Sequence, residues 1–520
     1  MKLSKSGVFV LLCAINLINY LDRGIISGAP DTFNAFIGRT LHVSAKEESV
    51  YLGFLASAFI ASYSVVSMIF GYAASKYRPF RMIALGMSIW VLAVFICGVA
   101  RILNSYYILI LGRLLSGVGE ASFQCNATPF LYTHASPKTR AAWLGFFLIF
   151  VVVGQALGYI YGALFANSQL TWAGAYIIEG IVMTFLIILC LVAVPEHLNT
   201  MQSSKSSSRN RSSHNSRFTQ CDITTQLMDH GSTQSMKRVS KLTPTLSGIP
   251  EAEEALPEGF IRPEISDPSL DSFWSQVGQI FRHPVFTLIV LGHAANTFSL
   301  AGLNVFSPTI FLGLRLFDNE TQVSFIFGAI VVAAGAVGTL LGGVLVHLIT
   351  QDDTKSNHYR CYHSVLLLFT SMVAAFGFAC FMMFFTSQKV VFLSLLAVSL
   401  LFLCALSLAE TIAVMECFSL AQRPLAISCN TLIIHLLGDV PSPIILGWLK
   451  DTWAPHCGSI EIDGRPQIDP DCVYDQGGLR KVLWFTALWL LWSVITWGAA
   501  LWILIQQRGK RRLRSAGAHE

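Results

Sequence analysis

Charge is what this sequence has least of. Charged residues make up only 12% of its 520 positions, against 53% hydrophobic ones. A soluble domain carries about a quarter charged residues, so the composition excludes an ordinary soluble globule. Mean hydropathy is +0.58. The formal net charge of +5 is too small, and too scattered among loops, to indicate a nucleic-acid partner. Catalytic signatures are absent too. There is no phosphate-cradling Walker loop, no cluster spaced for zinc or another metal, and no nucleophile elbow. The sequence therefore offers no enzyme, no ATP-driven pump, and no call for a cofactor.

What it has instead is long apolar runs. A membrane span needs about 20 mostly apolar residues. Runs of that kind fall near 8–36, 49–74, 80–101, 105–130, 141–166 and 171–194, and again near 284–312, 322–350, 363–386, 389–417, 424–449 and 479–507. This predicts twelve helices in two sets of six. The domain plan is an N-terminal bundle over 1–196, a polar linker over 197–272, a C-terminal bundle over 273–507 and a basic tail over 508–520. The Ser-rich linker has no apolar period and reads as flexible. Residues 273–282 read as a short interfacial helix. The first apolar run outlasts a signal-peptide core and holds Asn19, Asp22 and Arg23, so it reads as a retained span.

Loop charge sets the orientation. Lys2, Lys5, Lys76, Arg78, Arg81, Lys138, Arg140, Lys355, Arg360, Arg423 and the basic tail share one side, while the other holds few cations, such as Arg39, Lys46, Arg101 and Lys389. The positive-inside rule then places both termini and the linker in the cytosol. Cys457 and Cys472 share the last outer loop, where oxidising conditions permit a disulfide, with two free thiols as the alternative. Asn319-Glu320-Thr321 is a glycosylation sequon on the same side. The sequons at Asn210 and Asn126 fall in the linker and within a span, where they stay unmodified.

Ionisable groups within spans are costly, about 2.5 to 3.5 kcal/mol for an Asp at mid-helix, and mark cavities or partners. The segment His435-Leu436-Leu437-Gly438-Asp439-Val440-Pro441-Ser442-Pro443 sets an imidazole and a carboxylate one turn apart, ahead of two prolines that break or kink a helix. Ser428, His435 and Asp439 share a face. His titrates near neutrality, so this face suits a proton relay, or a satisfied core hydrogen bond. In the first span Asn19, Tyr20, Asp22 and Arg23 cluster, and Asn19 shares a face with Asp22 and Arg23. In the fourth, Arg113, Gly117 and Glu120 share a face. Glu120 would pair with Arg23 or Arg113, either as a proton carrier or as a fixed structural ion pair. His293, Asn296 and Thr297 form a weaker polar face. Glu179, Glu410 and Glu416 read as isolated carboxylates, with Glu416 a candidate gate partner. The stripes Gly154, Gly158, Gly162 and Gly335, Gly338, Gly342, Gly343 read as helix-packing surfaces. Polar groups in both halves point to a shared central cavity, the arrangement of a secondary transporter.

Twelve spans in two halves with a long central loop resemble the major facilitator superfamily. The segment Gly71 to Arg81 resembles its signature gate loop but has Ser75 where an Asp is usual, and the matching position after the eighth span is His347. More closely, Asn19-Tyr20-Leu21-Asp22-Arg23, Gly112-Arg113 through Gly117-Val118-Gly119-Glu120-Ala121-Ser122, Gly154-Gln155-Ala156-Leu157-Gly158-Tyr159 and His435 through Pro443 resemble the Spinster family of lysolipid and sphingolipid transporters. The resemblance implies a proton-linked or facilitative carrier of amphiphilic lipids with a charged head group. It implies proton coupling through Asp22, Glu120, His435 and Asp439. Substrate contacts would come from Asn19, Tyr20, Arg23, Arg113, His293, Asn296 and Ser428. It also implies a monomer in a late endosomal or lysosomal membrane, with the plasma membrane second. A carrier of soluble organic anions or sugars, or a non-transporting sensor, remain the alternatives.

Overall fold

The computed structural model describes residues 2–74, 77–135, 140–166, 168–199, 270–350, 356–418, 422–462 and 465–516. Ser75 and most of the 197–272 linker lie outside them. So do Lys76, Lys138, Asn210, Lys355 and the last four residues of the basic tail. Of His347 only the backbone is described.

The first half comprises α1 (Lys5–Gly28), α2 (Pro30–Leu41), α3 (Glu48–Ala74), α4 (Pro79–Ile102), α5 (Tyr106–His134), α6 (Arg140–Ala166) and α7 (Thr171–Val192). A short amphipathic helix, α8 (Leu270–Phe281), occupies the position expected for the interfacial element. The second half comprises α9 (Pro284–Gly313), α10 (Glu320–Thr350), α11 (Asn357–Met382), α12 (Lys389–Cys404), α13 (Leu406–Glu416), α14 (Arg423–Ile434), α15 (Pro441–Trp453) and α16 (Gln476–Ala516). Eleven helical segments among the described residues are long and apolar enough to cross a membrane. The 29-residue α5 is the more polar twelfth, since it carries Arg113 and Glu120.

Three spans are less simple than the apolar runs predict. The first does not run on to residue 36. It breaks at Ala29, and Pro30 opens a new helix, because proline lacks the amide that would continue the ladder. The run 389–417 is divided at Ala405. The third break sits at His435–Asp439, a π-turn in which the Val440 amide reaches back to the His435 carbonyl at 3.0 Å. Pro441 and Pro443 lack the amides needed to continue the α-helical ladder there, so α15 starts afresh.

Glycines set the closest helix contacts. A Cβ at Gly158 would meet the Leu21 carbonyl and Gly24, and one at Gly162 would meet the Ile25 carbonyl, so α1 and α6 touch backbone to backbone. Gly338 and Gly342 of α10 meet the Leu401 and Ala405 carbonyls in the same way. Both stripes are packing surfaces.

The described hydrogen bonds that join the two halves gather toward the end opposite the chain termini. Lys450 Nζ donates to Ser49 Oγ (2.8 Å), the Val50 amide to Asp451 (3.0 Å), the Ser459 amide to Glu48 (3.3 Å) and the Asp31 amide to Glu320 (3.1 Å). Nearer the middle, Ser57 Oγ donates to the Val440 carbonyl (2.6 Å) and Tyr159 to the Asn304 carbonyl (3.1 Å). Gly53 and Gly447 let α3 and α15 meet, at the Pro443 and Ser49 carbonyls. A hairpin, β1 (Ser459–Ile462) paired antiparallel with β2 (Arg465–Ile468), covers this end. Cys457 and Cys472 flank it and are joined by a disulfide with a Cα–Cα distance of 4.4 Å. Asn319 is exposed just before α10.

Candidate functional site

Asp22 and Arg23 are neighbours in sequence, but consecutive helical residues point about 100° apart, and each takes a different partner on α5. Arg113 Nη1 donates to both oxygens of Asp22, at 3.0 and 2.8 Å. Arg23 Nη2 donates to Glu120 Oε1 at 2.5 Å and its Nε to Oε2 at 3.4 Å. Charge-assisted pairs of this kind are the strong class of hydrogen bond. The two pairs differ in access. Arg113 and Asp22 are enclosed, whereas the Arg23 side chain is 24% exposed above a fully buried Glu120. Arg23 is therefore the more accessible of the two guanidinium groups.

Aromatic rings surround Arg23. Its guanidinium carbon lies 4.5 Å from the centre of Tyr20, 4.7 Å from Phe59 and 5.4 Å from Tyr63. Phe59 also stands 4.9 Å from the guanidinium of Arg113, so one ring touches both ion pairs. Ring faces attract such cations by about 0.5 to 2 kcal/mol, most when desolvated. Phe59 and Tyr63 were not among the residues singled out in the sequence. Their four-residue spacing on α3 was the available signal, hidden within an apolar run. Gly117 holds α5 against the Phe59 carbonyl and Ser62, which positions these rings.

In the second half, His435 Nδ1 lies 2.5 Å from Asp439 Oδ2 across the π-turn. Both side chains are partly exposed, and Gly438 between them packs on α9 near the Ala294 carbonyl. The His435 ring meets Tyr63 edge-on with centroids 6.0 Å apart. A chain of contacts therefore runs Glu120–Arg23–Tyr63–His435–Asp439 from one half to the other. Glu410 is not isolated: His293 Nε2 lies 2.9 Å from it, and His293 Nδ1 lies 3.3 Å from Asn430 Oδ1. Glu416 is likewise paired, with Arg423 at 3.2 Å. Sequence spacing missed the partner of Glu410 and anticipated an ion pair for Glu416 without naming Arg423, because the partners come from different helices. Glu179 is buried with neither oxygen bonded, and the Asn19 amide is fully buried without a partner, among the described residues. Asn296 is buried with its amide oxygen unpartnered among the described residues, and Ser428 is exposed on α14. No group of three or more metal-ligating side chains occurs among the described residues.

Paired ionisable groups inside two facing sets of membrane helices, joined by rings across the middle, define a membrane transporter. A sequence model of the Major Facilitator Superfamily matches residues 12–438, and the chain belongs to that superfamily. It is 30% identical over 462 residues to "Probable sphingolipid transporter spinster homolog 2" of Arabidopsis thaliana, with 86% of this chain and 81% of that one covered. To "Protein spinster homolog 1" of Homo sapiens it is 24% identical over 478 residues, with 86% and 74% covered. A solved bacterial homolog of the human lysosomal transporter Spinster, in an inward-facing and occupied conformation, superposes with a TM-score of 0.63 at 17% identity, covering 95% and 96%. Within the superfamily the chain belongs to the Spinster family, a family of transporters and not of enzymes.

Proposed function

We propose that this chain is a proton-linked carrier of an amphiphilic lipid with an anionic or zwitterionic head group, a lysophospholipid or a phosphorylated sphingoid base. The observation that carries the reading is Arg23, a partly exposed guanidinium held by Glu120 within a ring of Tyr20, Phe59 and Tyr63. A phosphate competes with the Glu120 carboxylate for that guanidinium, and aromatic and aliphatic walls accept the acyl chain. Protonation of Glu120 frees Arg23 for the ligand. Its deprotonation restores the pair and favours release. The His435–Asp439 pair, reached from Arg23 through Tyr63, couples the second half to this exchange. Asp22 and Arg113 hold the framework around it through Phe59. The names of the Arabidopsis relatives, which call them probable sphingolipid transporters, support the substrate class.

The carrier works by alternating access as a monomer. With both termini, the 197–272 linker and the basic tail in the cytosol, the sealed end is the outer one. The conformation described is then closed to the lumen or exterior, and the membrane is late endosomal or lysosomal. Asn319 and the Cys457–Cys472 bridge then face the glycosylating, oxidising side. Flux of labelled lysophosphatidylcholine and sphingosine phosphate into proteoliposomes tests the substrate class. Arg23→Ala should reduce it at least tenfold. Transport of soluble anions or sugars that lysolipids do not compete with would replace this reading by a soluble-substrate carrier.

A further inference from the structure

The seal at the end opposite the termini is built almost wholly from acids. Each carboxylate crosses between the halves to a backbone amide. Glu320 of α10 accepts from the Asp31 amide in the first turn of α2. Asp451 of α15 accepts from the Val50 amide in the first turn of α3, and Glu48 of α3 accepts from the Ser459 amide of the hairpin. Free amides and the positive helix end make such N-terminal turns favourable for carboxylates. The balance of charge is poor, however. Asp31, Glu48 and Asp451 face one buried cation among the described residues, Lys450, and Glu320 faces Asp31. Asp31 is 3% exposed, and its Oδ1 has no hydrogen-bond donor among the described residues. The carboxyl groups of Asp31 and Glu320 also face each other. Two ionised carboxylates do not share such a contact without a proton.

We infer that Asp31 and Glu320 form a proton-binding site at the interface of the two halves, occupied when the outer end is sealed and vacated when it opens. The proton sits between the two carboxyl groups, bound to an oxygen of one and hydrogen-bonded to the other, and leaves to water when the halves part. The ionisable groups facing Asp31 are Glu320 from α10, Glu48 from α3 and Lys450 from α15, with Asp451 of α15 beyond Glu48, while β2 brings the Ile468 amide. Asp31 lies beyond the first span, and burial pushes its carboxyl up to about 6, against the opposing pull of the Glu320 contact and of Lys450. A carboxyl raised in the sealed state binds its proton more tightly there than in the opened state. Acid therefore favours sealing, and this contribution is lost as pH rises through about 6. The site is separate from Arg23–Glu120 and does not depend on which substrate is carried.

The test is a distance measurement on the full chain in lipid nanodiscs, with bioorthogonal labels at Lys46 and Asp318, exposed on opposite halves at the sealed end. In the wild type the short-distance population should rise as pH falls from 8 to 5, by up to tenfold per unit for one proton. Asp31→Asn and Glu320→Gln should each stay sealed at pH 8 and lose that titration. Two variants are used so that poor folding of one leaves the other informative. A wild-type population that does not change between pH 5 and 8 would overturn the inference, as would a folded variant that titrates like the wild type. Since no substrate is present, failure of the lipid reading leaves this outcome untouched.

Discussion

Phe59 stands between two guanidinium groups, 4.7 Å from Arg23 and 4.9 Å from Arg113, and so joins two ion pairs with different duties. Arg113 and Asp22 are enclosed, so removing one partner strands a buried charge. Arg113→Ala should cost about 3–5 kcal/mol of stability, the usual penalty for an uncompensated buried ion. A paired replacement of Arg113 and Asp22 by Met and Leu should recover most of it, as read by thermal unfolding in detergent. Arg23 differs, because part of it is exposed. Arg23→Lys keeps the charge but loses the planar fork that both Glu120 and a phosphate require. It should raise the KM for lipid about tenfold with little change in melting temperature, and a fall in stability without a KM effect would make Arg23 structural. The ionisable residues themselves were legible in the sequence, since a charge inside an apolar run announces itself. Their partners were not. One helix face shows that Asn19, Asp22 and Arg23 cluster, but which acid on α5 each arginine meets depends on how α1 packs on it. For the same reason Glu410 looked solitary until His293 came to it from α9.

At the scale of elements, glycines and prolines decide where helices approach and where they bend. Gly158 lies within one half, against Leu21 and Gly24, while Gly53 lies between the halves, against Pro443. The two should respond differently to a side chain. Gly158→Val should lower the melting temperature by several degrees, because α1 and α6 cannot separate without loss of the fold. Gly53→Val should leave it nearly unchanged and instead shift the protein toward the conformation opened at the hairpin end, read by cross-linking between α3 and α15. Equal effects on both measurements would deny the distinction. The stripe Gly154, Gly158, Gly162 was readable as a packing surface from its spacing alone. The proline-bearing break after Asp439 was also readable, although its π-turn geometry was not. The break at Ala29 was missed because the apolar run continues across it and Pro30 is acceptable at a helix start. The hairpin was missed because it lies in a polar loop with only four residues per strand, too few for an alternating pattern to stand out.

On the scale of the whole molecule, the halves meet through two different chemistries. Near the middle they meet through Tyr63 and His435, and at the sealed end through carboxylates on backbone amides. An alternating carrier has to break the second set while keeping a ligand at the first. The twelve-helix plan could be read from the apolar runs, and the superfamily from the same pattern. The seal could not, since Glu48, Glu320 and Asp451 lie at the ends of runs, where charged residues are ordinary, and Asp31 falls within a first run that the break at Ala29 divides. The central claim is that proton exchange at Glu120 governs whether Arg23 is free to hold a lipid head group. Its most direct test is uptake of labelled lysophosphatidylcholine and sphingosine phosphate by sealed proteoliposomes under an imposed proton gradient, with the wild type compared with Glu120→Gln. The account predicts gradient-driven accumulation in the wild type and at least a tenfold loss of it in the variant, with lipid binding retained. Lipid flux indifferent to the gradient, or an equally strong gradient response in Glu120→Gln, would contradict it.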